Sequence, residues 1–190
     1  MGISDTQKHI TVEEYIQGEQ MSEVRHEYIG GQVYGMSGGS EAHNAICLNI
    51  ASAIRQHLRG KPCKAFMADM KLRLNIAEDD IFYYPDVMVS CDPSDNEKYY
   101  KTQPVLIVEV LSPSTERLDR REKFLSYIGL SSLKEYVLVD QDTMRVTLFR
   151  QANAWKPEHL SDTHALLRLP SIDFELTLAD IYEDVSDVAG

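Results

Sequence analysis

Val105-Leu106-Ile107-Val108-Glu109-Val110-Leu111 is apolar on both faces of an extended chain, which describes a strand buried on both sides. Side chains alternate along a strand, so Glu109 shares its face with Val105, Ile107 and Leu111. A lone ionised carboxylate there costs several kcal/mol or more, so it must be paired, protonated or bound to a cation. Asp86 poses the same problem in Phe82-Tyr83-Tyr84-Pro85-Asp86-Val87-Met88-Val89. Pro85 cannot donate to a sheet ladder, so a bulge or strand start is expected that aims Asp86 into a cleft. The alternative for each is a buried salt bridge or a strand-end turn carboxylate. Together, on neighbouring strands, they point to a hard-oxygen cation site, and magnesium suits two carboxylates plus waters.

Outward from these strands the chain reads as one α/β unit. Thr11 caps a short helix over Val12-Glu13-Glu14-Tyr15-Ile16, with Glu14 at the capping-box position. Two short β-type runs around Gly30-Gly31, from His26 to Met36, predict a hairpin. A helix from about Glu41 to Leu58 follows, with Ser40 as N-cap and a stripe of Ile46, Cys47, Ile50, Ile54 and Leu58. Three strands are expected at Ala65 to Leu74, Phe82 to Ser90 and Val105 to Leu111. Thr115 starts a helix to about Ile128 whose apolar stripe is Leu118, Phe124, Leu125 and Ile128. Strands at Glu135 to Val139 and Arg145 to Phe149 complete the pattern. The expected fold is a mixed central sheet covered by helices, with an N-terminal hairpin and a C-terminal β extension. One domain over 1–190 is expected, its core about 11–150 and its extension 151–190.

Three further residues need weighing. Lys123 lies off the apolar stripe, beside Asp119 and Tyr127 at i−4 and i+4. Periodicity favours an exposed lysine paired with Asp119; the functional alternative is an ammonium that stabilises developing negative charge. His43 heads the buried stripe at a helix N-terminus, which disfavours its protonated form and leaves a ring able to accept a proton or bind metal. Its alternative is a satisfied core or capping histidine. Glu27 alternates with residues of buried type, and a cross-strand salt bridge with Arg25 or Lys71 accounts for it equally well. Asp69 and Lys71 read as a charged outer face.

The ordered set now resembles a known family. Tyr84-Pro85-Asp86-Val87, Val108-Glu109-Val110-Leu111-Ser112-Pro113-Ser114-Thr115, then Asp119, Lys123 and Tyr127 are similar to the Uma family, bacterial proteins classed as restriction endonucleases in the PD-(D/E)XK nuclease superfamily. His26 to Gly31, Met36-Ser37-Gly38, Ser40 to Asn44 and Glu135 to Asp140 match too, so the likeness runs from about Thr11 to Arg150. It implies a restriction-endonuclease-like fold with metal-binding carboxylates at Asp86 and Glu109. The superfamily's lysine should stand two residues after the glutamate, where this chain has Leu111. The resemblance implies that the lysine has moved to the next helix, at Lys123, and that Glu27 and His43 join the site. The implied activity is magnesium-dependent hydrolysis of DNA, with manganese as a substitute ion. The alternative is a nuclease fold kept for binding nucleic acid or protein without turnover.

Composition narrows the field. The 190 residues carry a formal net charge of −11, which argues against broad coating of nucleic acid by a basic surface. No Walker A, GxSxG, HExxH, zinc-finger or helix-turn-helix pattern occurs. The apolar runs are far short of the roughly 20 residues a membrane span needs, and Met1-Gly2-Ile3-Ser4-Asp5 resembles no secretory signal. Cys47, Cys63 and Cys91 are odd in number and lack metal-ligand spacing, so a cytoplasmic protein with reduced thiols is expected. Tyr99-Tyr100 and the apolar pattern from Leu166 to Ile181 suggest an extra layer or a homodimer interface.

Overall fold

The computed structural model describes residues 9–112 and 118–185, with the backbone alone at 118–120. Helix α1 (Val12–Met21) starts at Thr11, whose hydroxyl accepts from Glu14 N while the Glu14 side chain accepts from Thr11 N, the expected capping box. Strands β1 (His26–Ile29) and β2 (Gln32–Gly35) form the hairpin. Its turn needs left-handed backbone at Gly30 and Gly31, with φ of 53° and 92°, which glycine adopts without strain. Helix α2 (Glu41–His57) begins at Ser40, whose Oγ accepts from His43 N.

The next two expected strands are each broken in two. Ala65 to Leu74 divides into β3 (Lys64–Met67) and β4 (Lys71–Ile76), and Phe82 to Ser90 into β5 (Asp79–Tyr83) and β6 (Val87–Ser90). Ala68, at φ 53°, turns the first chain, and Tyr84-Pro85-Asp86 turns the second. After β7 (Tyr100–Lys101) and β8 (Pro104–Leu111) comes a π-helical segment, Leu118–Lys123, running into the short α3 (Phe124–Tyr127). Thr115, expected to cap this helix, and the side chains of Leu118 and Asp119 lie outside the described residues. The remaining elements are β9 (Glu135–Asp140), β10 (Val146–Arg150), β11 (Pro157–Leu160), β12 (Leu166–Leu169), β13 (Phe174–Thr177) and α4 (Leu178–Ile181).

The halves of the broken strands enter different sheets. One is six-stranded, ordered β11-β10-β9-β8-β6-β3; the other is five-stranded, ordered β2-β1-β5-β4-β7; β12 and β13 pair separately. The parallel β8–β9 pair sits in an otherwise antiparallel six-stranded sheet, because helical chain must cross between those two strands. Ile46, Ile50 and Ile54 of α2 pack with Val87, Val89, Leu106, Val108 and Val110 on one face. Leu167, Leu169, Ile172, Leu178 and Ile181 join the same cluster, so the C-terminal apolar pattern is an internal layer rather than an interface. On the opposite face, Met88, Ile107, Leu111, Tyr136 and Leu138 pack with Leu72, Leu74 and Tyr83 of the second sheet and with Tyr127.

Two expectations fail. The π-helical turn winds more residues into each turn than the 3.6 of an α-helix, so an α-helical period misplaces the side chains beyond it. Leu125, expected in the apolar stripe, is 62% exposed, whereas Lys123 and Tyr127 are buried. Nor are the thiols all reduced: Cys63 and Cys91 form a disulfide, and only Cys47 is a free cysteine. The β3–β6 register, which pairs Lys64 with Ser90, sets Cys63 opposite Cys91 one position further on. No helix among the described residues is long and apolar enough to cross a membrane.

Candidate active site

The β6–β8 register pairs Val87 with Val108, so Asp86 and Glu109 stand opposite each other where β6 begins. Backbone contacts lock both. Asp86 N donates to Glu109 Oε2 at 3.3 Å, and Val110 N donates to Asp86 Oδ2 at 2.7 Å. Asp86 O accepts from Ala68 N at 3.2 Å, which ties the turn after β3 to the same point.

Lys123 arrives from the π-helical segment. Its Nζ lies 3.0 Å from Glu27 Oε1 and 3.6 Å from Glu109 Oε1, and 5.4 Å from the centre of the Tyr83 ring. Tyr127 Oη donates to Glu109 Oε1 at 2.8 Å; burial first, then the charge of Glu109, pushes its phenol well above the ordinary range. Glu109, Lys123 and Glu27 are all buried, so these charges meet where water screens them little.

His43, in the first turn of α2, sets Nε2 3.3 Å from Asp86 Oδ2 and Nδ1 3.7 Å from Cys47 Sγ. Gly39 makes room for the ring, since a Cβ there would stand 2.8 Å from His43 Nδ1. The structure thus brings together all five residues expected at the site: Asp86, Glu109, Lys123, His43 and Glu27. Asp69 stays at the rim, bound by Arg25 Nε at 3.0 Å. Lys71 departs from the expected outer face: it is buried, with its ammonium 5.2 Å from the centre of the Tyr84 ring, and burial lowers its pKa.

Sequence reasoning gave no site role to Cys47 or Tyr127, although each lies four residues after a singled-out residue, His43 and Lys123. It also missed the wall behind the cleft. Glu19 accepts from Tyr84 Oη at 2.6 Å and from His26 N at 3.2 Å, and meets His26 Nδ1 at 2.8 Å. Burial opposes ionisation of Glu19, but the bonds from Tyr84 and His26 outweigh it and hold its carboxyl below the ordinary range.

The cleft over these groups has a volume of about 370 Å³, with Val24, Arg25, Met36, Asp69 and Tyr84 at its walls and Asp86, Glu109, Lys123 and His43 inside. Two carboxylates, Glu109 and Glu27, flank the Lys123 ammonium, and the Asp86 carboxylate stands beside His43, opposite Glu109 in the β6–β8 register. Asp86 Oδ1 has no hydrogen-bond partner among the described residues. Surplus negative charge and available hard oxygens fit a divalent cation at Asp86 and Glu109.

In a mixed sheet flanked by helices, Asp86 and Glu109 thus stand opposite each other at a strand end, and a lysine from the segment after β8 reaches Glu109. The chain belongs to the Uma2 family, described as "Putative restriction endonuclease", whose model matches residues 12–179. A crystal structure entitled as that of a putative nuclease of DUF820 from Anabaena variabilis ATCC 29413 shares the fold, at TM-score 0.68 and 20% identity over 85% of this chain and 91% of that one. The chain is 38% identical over 143 residues to Uncharacterized protein slr1290 of Synechocystis sp. (strain ATCC 27184 / PCC 6803 / Kazusa), covering 75% of this chain and 74% of that one. Uncharacterized protein sll1609 of the same organism is 34% identical over 154 residues, covering 80% and 86%.

Proposed function

We propose that the protein is a magnesium-dependent endonuclease that hydrolyses phosphodiester bonds of DNA. The observation that carries this reading is the seat of Lys123. Leu111 fills the position where a catalytic lysine is expected, yet an ammonium reaches the carboxylates from the following helix. A binding module without turnover predicts a lysine facing solvent; the burial of Lys123 against Glu27 and Glu109 favours the enzyme.

Asp86 and Glu109 are the residues that would hold magnesium, or manganese in its place. When bound, the ion supplies a Lewis acid for a phosphate oxygen and makes water more acidic. The protein's own groups do the rest. Glu27 and Glu109 hold the Lys123 ammonium, which orients a water and opposes the negative charge that develops on phosphate. Tyr127 and the Asp86 amide fix the Glu109 carboxylate from two sides. His43, beside Asp86 at the mouth, positions the substrate. One P–O bond forms to the water oxygen as a proton of that water passes to solvent, another P–O bond breaks, and solvent protonates the leaving oxygen.

A homodimer belongs to the proposal, because a twofold pair of sites faces both strands of a duplex. The exposed Val33 and Tyr34 on the edge strand β2 support it. Sedimentation showing a monomer at micromolar concentration would remove the dimer. The central test is cleavage of supercoiled plasmid with magnesium or manganese, run with Asp86→Ala and Lys123→Ala. Loss of cleavage in both variants is the expected result. Activity undiminished by Asp86→Ala, or absent from the parent despite metal binding, overturns the reading.

A further inference from the structure

We infer that His43, Cys47 and Asp86 form a second cation position, for a borderline-soft transition ion such as zinc or cobalt(II). It shares Asp86 with the magnesium pair, and to that extent it rests on the proposed function.

His43 and Cys47 are one α-helical turn apart on α2, so their side chains emerge on one face. That face packs against the start of β6, where Asp86 stands. One nitrogen, the thiol sulfur and one carboxylate oxygen all lie within 4.8 Å of one another. Small motions of the His43 ring and the Cys47 side chain bring such a trio onto one ion.

Donor chemistry separates this position from the carboxylate pair. Magnesium takes oxygen ligands, whereas imidazole and thiolate select zinc, cobalt and their neighbours. One thiolate and one carboxylate cancel the two positive charges of the ion, and three protein ligands leave a fourth place for water. As the Sγ–metal bond forms, the thiol proton passes to solvent. Cys63 and Cys91 are joined to each other, so Cys47 is the sulfur available for the task. Occupation draws Asp86 toward His43 and away from magnesium, so zinc inhibits magnesium-dependent cleavage.

The test is a titration of the full chain with cobalt(II) chloride, read by the near-ultraviolet thiolate-to-cobalt absorption. The band should appear at one ion per chain, vanish in Cys47→Ser, and weaken in His43→Ala with affinity down by about 100-fold or more, at least the loss seen when a mere supporting group around a metal is removed. Circular dichroism of each variant checks folding. Absence of the band in the parent overturns the proposal without reference to any variant. Persistence of the band in folded Cys47→Ser overturns it too. A band in a protein that never cleaves DNA keeps the site and sinks the nuclease reading; cleavage with no band does the reverse.

Discussion

Lys123 Nζ lies 3.0 Å from Glu27 Oε1, joining the π-helical segment after β8 to the first strand of the other sheet. The two side chains are among the least exposed charged groups of the protein, and Glu109 Oε1 stands 3.6 Å from the same ammonium. The site therefore rests on an ion pair between elements that share no sheet.

Removing the lysine strands both carboxylates. Lys123→Met should destabilise the protein by about 3 kcal/mol, within the range for breaking a buried pair. Adding Glu27→Gln removes one of the orphaned charges, so the double variant should be less unstable than the sum of the single ones. Urea unfolding of the four proteins measures the coupling. Strict additivity would mean that the 3.0 Å pair carries no interaction in solution.

Tyr127→Phe tests a residue that touches no substrate in this scheme. Its hydroxyl donates to Glu109 Oε1, and a bond to a charged group is worth about 2 kcal/mol. Losing it should also lower magnesium affinity by about 10-fold or more, because Glu109 loses a group that orients it. Calorimetric titration with magnesium separates the two effects. Lowered stability with unchanged affinity would make Tyr127 a packing residue only.

The parts that sequence reveals best are those settled locally. The capping box of α1, the Gly30-Gly31 hairpin and the stripe of α2 depend on neighbours a few residues away. Glu109 and Asp86 also stand out, since an ionisable group on a buried strand is costly wherever the fold goes. What escaped depended on distant chain. The division of Ala65 to Leu74 between two sheets turns on left-handed Ala68, a residue with no intrinsic preference for that conformation. Lys123 looked exposed because an α-helical period was applied to a π-helical segment. Cys63 and Cys91 are 28 residues apart, and only the β3–β6 register sets them opposite each other.

Glu135, at the start of β9, gives a pH prediction. Burial raises its pKa above the ordinary value, against a bond from Ser171 N, and Oε2 has no partner among the described residues. The folded protein thus keeps a proton that the unfolded chain releases. Its stabilising contribution is complete below the ordinary carboxylate pKa and is lost as pH rises through the higher folded value. Glu135→Gln should therefore gain stability relative to the parent as pH increases from acid to neutral. Unfolding midpoints across that interval check the sign; a difference independent of pH would show Glu135 to be unperturbed.

Reduction should loosen β3. The Cys63–Cys91 bond joins residues 28 apart in sequence, and in the chain-entropy account such a loop is worth about 3.6 kcal/mol. The parent should lower its denaturation midpoint in reductant, and Cys63→Ser with Cys91→Ser should reproduce that loss with no further response to reductant. Alkylation of the denatured protein gives an independent count, because one thiol should react before reduction and three after it. Three reactive thiols without reductant would restore the expectation of a fully reduced chain. β3 would then be held to β6 by its strand pairing alone, and Ala68, which anchors Asp86 through its amide, would sit at the end of an unclamped edge strand.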